Sequence, residues 1–155
     1  MVRKLLLMVV LVMAAAGFSF IGVQAENLQD QVYALYGRFD AGILTLMYPV
    51  GSYDFETQEF SMVSQFDVNE LMFGLNLKLP LGLLYVRGAA YTTVGNVMNF
   101  SQNGTLGIYG KLGAGLNVLF LTAETGVRLF YLFGDPEFQF NFSPQYFYIS
   151  LGLSF

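Results

Sequence analysis

Apolar and polar or small side chains alternate with period two through most of the C-terminal half of this chain. Leu71, Phe73, Leu75, Leu77 and Leu79 alternate with Met72, Gly74, Asn76 and Lys78. Leu84, Val86, Gly88 and Ala90 alternate with Tyr85, Arg87, Ala89 and Tyr91. Leu106, Ile108, Leu112 and Leu116 alternate with Tyr109, Lys111, Gly113 and Asn117, and Leu121, Ala123, Val127 and Leu129 with Thr122, Glu124, Gly126 and Arg128. At the C-terminus Phe147, Ile149, Leu151, Leu153 and Phe155 oppose Tyr146, Tyr148, Ser150, Gly152 and Ser154. Successive strand residues point to opposite faces, so each segment reads as a strand with one apolar face and one polar face.

The connections between these strands are alternately short and long. Tight turns are predicted at 80–82 and 118–119, and long loops at 64–70, 94–104 and 133–144. The polar face switches from even to odd numbers between Lys78 and Tyr85, and back between Asn117 and Thr122. An even-length hairpin turn keeps both polar faces on one side, so the strands share a single polar surface. The first third is less regular. Splitting it near Arg38-Phe39-Asp40-Ala41-Gly42 gives strands at 30–37, 41–48, 53–63, 70–79, 83–93, 105–117, 120–132 and 145–155, eight in all. An even count places both termini at the end with the short turns.

Composition sharpens this pattern. The chain is 55% hydrophobic with a mean hydropathy of +0.53. A spanning helix needs about 18 or more apolar, nearly charge-free residues. Beyond the N-terminus the nearest run, Leu112 to Phe133, carries Glu124 and Arg128. A soluble domain this apolar is hard to keep in solution. Only helices and closed barrels satisfy their backbone in lipid, and barrel strands hide their hydrophobicity from a helical window by alternating. The expected fold is therefore an all-β, up-and-down antiparallel transmembrane barrel of about eight strands.

The N-terminus reads as an export signal. Arg3 and Lys4 precede the apolar run Leu5 to Ala16, and Val23-Gln24-Ala25 offers small residues before Glu26. A basic start, an apolar centre and a small-residue site are the marks of a secretory signal peptide. Cleavage after Ala25 is expected, with 1–25 as leader and 26–155 as the barrel domain; an uncleaved anchor helix is the alternative. No Cys is present, so disulfides and thiolate metal sites are excluded.

A terminal Phe preceded by alternating apolar residues resembles the closing strand of bacterial outer-membrane β-barrels. The resemblance is to the small OmpA/OmpX-type class, covers residues 26–155, and rests on architecture and the terminal motif rather than on a family fingerprint. It implies a Gram-negative-type outer membrane, lipid as surroundings, and a barrel-assembly machinery that reads Phe147, Ile149, Leu151, Leu153 and Phe155. A monomer is expected.

An eight-stranded barrel has an interior just wide enough to be filled by side chains, and charges buried there must pair. A lumen network is therefore expected: Glu124 with Lys111 and with Arg87 or Arg128, Lys78 on the same face, and Tyr85, Tyr91 and Tyr109 donating hydroxyls. Asp40 or Glu59 could balance the excess cations. The chain contains no His, which removes Ser-His and Cys-His nucleophile systems and His-metal sites. The lipid A acyl-modifying enzymes and omptin proteases of the same architecture use His, so their chemistry does not carry over. No catalytic residue, cofactor or metal is expected, and no basic nucleic-acid patch is present. Aromatic residues near strand ends (Tyr48, Tyr53, Phe55, Phe133, Phe138, Phe140, Tyr146, Phe147) suit interfacial girdles. Three functions compete: a structural or surface-interaction barrel with a filled, porin-like shell; a narrow pore or binding barrel for a small or hydrophobic ligand; and a soluble secreted barrel with its apolar face inward.

Overall fold

The computed structural model describes residues 19–29, 31–135 and 146–155. Among these described residues are nine strands: β1 (Ser19–Gln29), β2 (Val32–Ala41), β3 (Leu44–Asp54), β4 (Glu59–Met62), β5 (Met72–Leu81), β6 (Leu84–Thr93), β7 (Leu106–Val118), β8 (Leu121–Phe133) and β9 (Phe147–Ser154). One helix, α1 (Val94–Asn103), joins β6 to β7, and a 3-10 turn covers Val68–Glu70. Every pairing is antiparallel. The sheet order runs β2-β1-β9-β8-β7-β6-β5-β3, and β2 pairs with β3 to close the ring. The result is an eight-stranded closed barrel, with β4 as a spur paired only to the upper end of β3.

Hairpin turns of two residues, Gly42-Ile43, Gly82-Leu83 and Leu119-Phe120, lie at one end. Gly42, Gly82 and Leu119 take left-handed backbone at φ 58°, 77° and 56°. Such turns match the twist of the flanking strands, and a left-handed Leu is the costly exception among them. Both chain ends of the barrel meet here: Ser19 N–H donates to the Phe155 carbonyl at 3.1 Å, and Phe155 N–H returns the bond to Ser19. The opposite end carries the β3–β4 hairpin, the 3-10 turn and α1. Thr93 caps α1 by accepting from Asn96 N–H, and Gly104 closes it at φ 66°.

The polarity of the barrel is inverted relative to a soluble fold. Leu75, Leu77 and Leu79 on β5 are 55%, 66% and 64% exposed, and Leu151 on β9 is 62% exposed. Gln24, Arg38, Asp40, Lys111 and Ser150 are each at most 2% exposed. The apolar face is thus the outer wall and the polar face the interior. A soluble barrel with its apolar face inward does not describe this chain.

The first third departs from the sequence reading. The predicted strands at 30–37, 41–48 and 53–63 give way to β1, β2 and β3, and the first tight turn moves to Gly42-Ile43. Phe20, Gln24 and Glu26 alternate inward with Ile21 and Val23 outward along β1. β1 supplies both barrel seams beside it, pairing Phe20–Glu26 with β9 and Ser19–Gln29 with β2. A boundary after Ala25 falls inside this strand. The segment 53–63 is the top of β3, a turn, and the spur β4. The count stayed at eight because one strand was missed and one spur was counted.

A chain beginning at Glu26 leaves most of β2 and β9 with an unpaired edge and so opens the ring. A chain beginning at Ser19 is expected to show a fast-migrating unboiled band on SDS gels, and one beginning at Glu26 to lose it. Equal heat-modifiability of the two would count against β1 as a barrel strand.

Candidate functional site: the ion-paired lumen

All five described Lys and Arg residues point into the barrel: Arg38, Lys78, Arg87, Lys111 and Arg128. Three carboxylates join them, Glu26, Asp40 and Glu124. The remaining described acids, Asp54, Glu56, Glu59, Asp67, Glu70 and Asp135, lie at the loop end. Glu59 sits exposed on β4 and balances nothing in the lumen; Asp40 does.

The register creates the electrostatic problem that the carboxylates solve. Lys78 is the cross-strand partner of Arg87, and Lys111 of Arg128. Like charges directly opposite on a sheet destabilise it. A carboxylate from another part of the wall bridges each pair. Asp40 approaches Lys78 Nζ at 3.6 Å and Arg87 Nη2 at 3.7 Å. Glu26 holds Lys111 Nζ through Oε1 and Arg128 Nη1 at 3.1 Å through Oε2.

Arg38 ties the bottom of the lumen to its middle. Its Nη2 donates to Asp40 Oδ2 at 2.6 Å and its Nη1 to Glu124 Oε1 at 2.9 Å. Glu124 also accepts from the hydroxyls of Tyr85 at 2.7 Å and Tyr148 at 2.8 Å, and lies 3.3 Å from Arg87 Nη1. Thr45 Oγ1 donates to Asp40 at 2.7 Å. Gln24 links the upper and lower groups: its Nε2 donates to Glu26 at 2.6 Å, and its Oε1 lies 3.4 Å from Arg38 Nη1. Charge-assisted hydrogen bonds of this kind are the strong ones, and so many on each carboxylate are what a buried charge requires.

Aromatic rings fill the remaining cross-section. Arg38 lies 4.4 Å above the Phe20 ring at the turn end, and Lys111 Nζ 4.7 Å from the Tyr91 ring. Tyr91 and Tyr109 stack at 5.6 Å, with Arg128 6.0 Å from Tyr109. Inward-facing glycines make the room. A Cβ at Gly113 would run into the Tyr148 hydroxyl, and one at Gly115 into the Tyr85 ring.

The sequence-predicted residues divide as follows. Tyr85 and Arg87 meet Glu124. Lys111 and Arg128 meet Glu26 instead, across the lumen. Lys78 meets Asp40. Tyr91 does not donate: its hydroxyl is buried without a hydrogen-bond partner among the described residues. Arg38, Glu26, Gln24 and Tyr148 are network members that the sequence reading lacks, whereas Asp40 supplies the expected balance. The signal for Arg38 was present, since it and Asp40 flank Phe39 at strand spacing. Phe147, Ile149, Leu151 and Leu153 line the outer face of β9, and Phe155 ends the chain 72% exposed. Of the predicted girdle, Phe138 and Phe140 lie outside the described residues.

The site defines a class: a small closed barrel with a salt-bridged, side-chain-filled interior. Comparison with protein-family models, curated proteins and solved structures gave no match to this chain.

Removing one member of a buried pair leaves its partner uncompensated, at a cost of about 3–5 kcal/mol. Glu124→Gln and Arg38→Met should each lower the unfolding free energy of the refolded barrel, read from its urea midpoint, by that order. The double variant should lose less than the sum of the two. A Glu124→Gln midpoint equal to that of the parent would show that the network does not hold the barrel together.

Proposed function

We propose that this protein is an exported outer-membrane barrel that acts as a structural or surface-contact element, with its lumen closed by the ion-pair network. The observation that carries this reading is the inverted polarity: every described cation faces inward, and the outer wall is an apolar belt. Such a wall in water would be one large exposed apolar patch. In lipid it is the ordinary outer face of a barrel.

The two ends of the barrel support an orientation. Short turns suit the periplasmic side and long connections the outside. On this reading α1, the β4 spur and the acidic loops face outward, where they contact partners or lipid headgroups. Rings gather at that rim. Tyr33, Tyr53 and Phe55 meet edge to face at 4.7–5.1 Å, and Phe100 lies 6.4 Å from Phe133. The assembly machinery would read the outward Phe147, Ile149, Leu151 and Leu153 with the terminal Phe155.

Retaining β1 moves the proposed end of the leader. Ala14-Ala15-Ala16 offers small residues at the cleavage spacing and precedes Ser19. The mature N-terminus, read by intact mass from outer-membrane fractions, is expected between Ala16 and Ser19. A mature chain starting at Glu26 would overturn this assignment.

A narrow conduit is the competing role. The plug opposes it, because the charged side chains of both walls meet across the lumen. In planar bilayers the refolded protein is expected to stay closed. Persistent unit conductance steps in the parent, lost on boiling, would reject the closed-lumen role and favour the conduit.

A further inference from the structure

The barrel wall has one weak seam. β5 pairs with β6 over ten residue pairs, Met72↔Thr93 to Leu81↔Leu84. It pairs with β3 over only four, Leu44↔Leu75 to Met47↔Met72. Above Met47, β3 changes partner. A bulge skips Val50, which accepts instead from Val63 N–H at 3.1 Å, and Gly51–Asp54 pair with β4. β3 and β5 therefore separate above the Met47–Met72 rung. Residues 63–71 bridge the split as a strap. Between its ends a latch holds the strap to the wall: the Tyr48 hydroxyl accepts from Asp67 N–H at 2.8 Å, and the Tyr48 ring stacks on Phe66 at 4.7 Å.

A cavity of about 520 Å³ lies behind this split. Ala34, Tyr36 and Met72 form its inner wall, and Met62 and Val63 its strap side. Met47 packs beneath, against Ala34 and Tyr36. The sulfur of Met47 in turn accepts from Lys111 Nζ at 3.5 Å, so it separates the cavity from the ions below. Methionines line irregular space adaptably, and the volume falls in the range of small-ligand sites. Ser52, Ser61, Asn69 and Thr93 also line it, and Glu70 carries the only charge among the lining residues. Outside the split, Phe60, Met62, Phe66 and Val68 are 53%, 74%, 71% and 50% exposed.

We infer that the β3–β5 split is a side opening through which a single-chain amphiphile passes from the bilayer, its alkyl chain seating against Ala34, Tyr36 and Met72 and its cationic or uncharged headgroup at Glu70. This rests on the membrane reading above. An alkyl chain finds apolar contacts on Ala34, Met62, Val63 and Met72. Phe60, Met62, Phe66 and Val68 offer it exposed apolar contacts beside the split. The Glu70 carboxylate repels a carboxylate or phosphate headgroup, which selects against fatty acids and phospholipids. The strap and its Tyr48 latch set how readily the opening admits the chain.

The full barrel in phosphatidylcholine nanodiscs tests this with radiolabelled dodecylamine and dodecanoate, each referenced to empty discs. Dodecylamine is expected to show a saturable component that dodecanoate lacks or shows about tenfold more weakly, a difference of about 1.4 kcal/mol. Ala34→Trp, which fills the cavity, should remove it. Glu70→Gln should erase the preference for the amine. Tyr48→Phe should speed exchange severalfold while leaving affinity unchanged. No saturable component in the parent, full binding by Ala34→Trp, a preference for dodecanoate, or exchange unaltered by Tyr48→Phe would each overturn the proposal. Heat-modifiable migration of every variant in detergent reports the barrel separately, so a missing site and a missing membrane barrel give different results.

Discussion

Three carboxylates hold five cations inside a closed wall, and the rest of the structure depends on that arrangement. Closure satisfies the backbone without water but offers the interior charges no solvent. Each must find its partner among the other strands. The Lys78/Arg87 and Lys111/Arg128 rungs would by themselves push adjacent strands apart. Asp40 and Glu26 reverse the sign at each rung, and Arg38 couples the lower rung to Glu124. The network is therefore also a set of cross-lumen struts joining β1 and β2 to β5, β6, β7 and β8. Because a single carboxylate serves several cations, loss of one member unbalances a neighbourhood rather than a pair.

Shape follows from the same requirement. A long side chain projecting from one wall needs a short one opposite it. Gly113 and Gly126 accommodate the Tyr148 ring and Gly115 that of Tyr85, and both hydroxyls then reach Glu124. The glycines weaken their strands by leaving no side chain to pack. The tyrosines compensate by filling the lumen with rings whose polar ends satisfy a buried carboxylate. Size and polarity are thus solved together.

Legibility of the sequence tracked the simplicity of the turns. From Leu71 onward, two-residue turns kept each hairpin's polar parity visible, and β5 to β9 lie within a residue or two of their predicted bounds. The N-terminal third failed for physical reasons. β1 follows the apolar N-terminal run Leu5 to Ala16, and the small residues Val23-Gln24-Ala25 that mark a cleavage site in the sequence lie within its inward-outward alternation. Arg38-Phe39-Asp40 falls where an even strand count asks for a turn, yet its charges are the centre of the plug. Facing neighbours such as Lys111 and Arg128 were legible as sharing a polar surface. Partners across the lumen were not: which carboxylate meets Lys111 depends on how β1 closes against β9, and the missing strand carried Glu26.

The plug and the split divide the barrel into regions with different capacities. Below the Met47–Met72 rung the wall is continuously paired and the lumen is occupied by charge, so passage along the axis would require separating several buried pairs at once. Above it, β3 exchanges β5 for the spur β4, Ala34 and Met72 line the interior, and the Tyr48 hydroxyl latches the middle of the bridging strap. Opening there breaks a few exposed contacts and leaves every ion pair intact. The two regions touch on β1 and β2, where Glu26 is the register partner of Ala34 and Gln24 that of Tyr36. A barrel built this way joins a tightly paired, ion-filled base to an upper wall whose strands part.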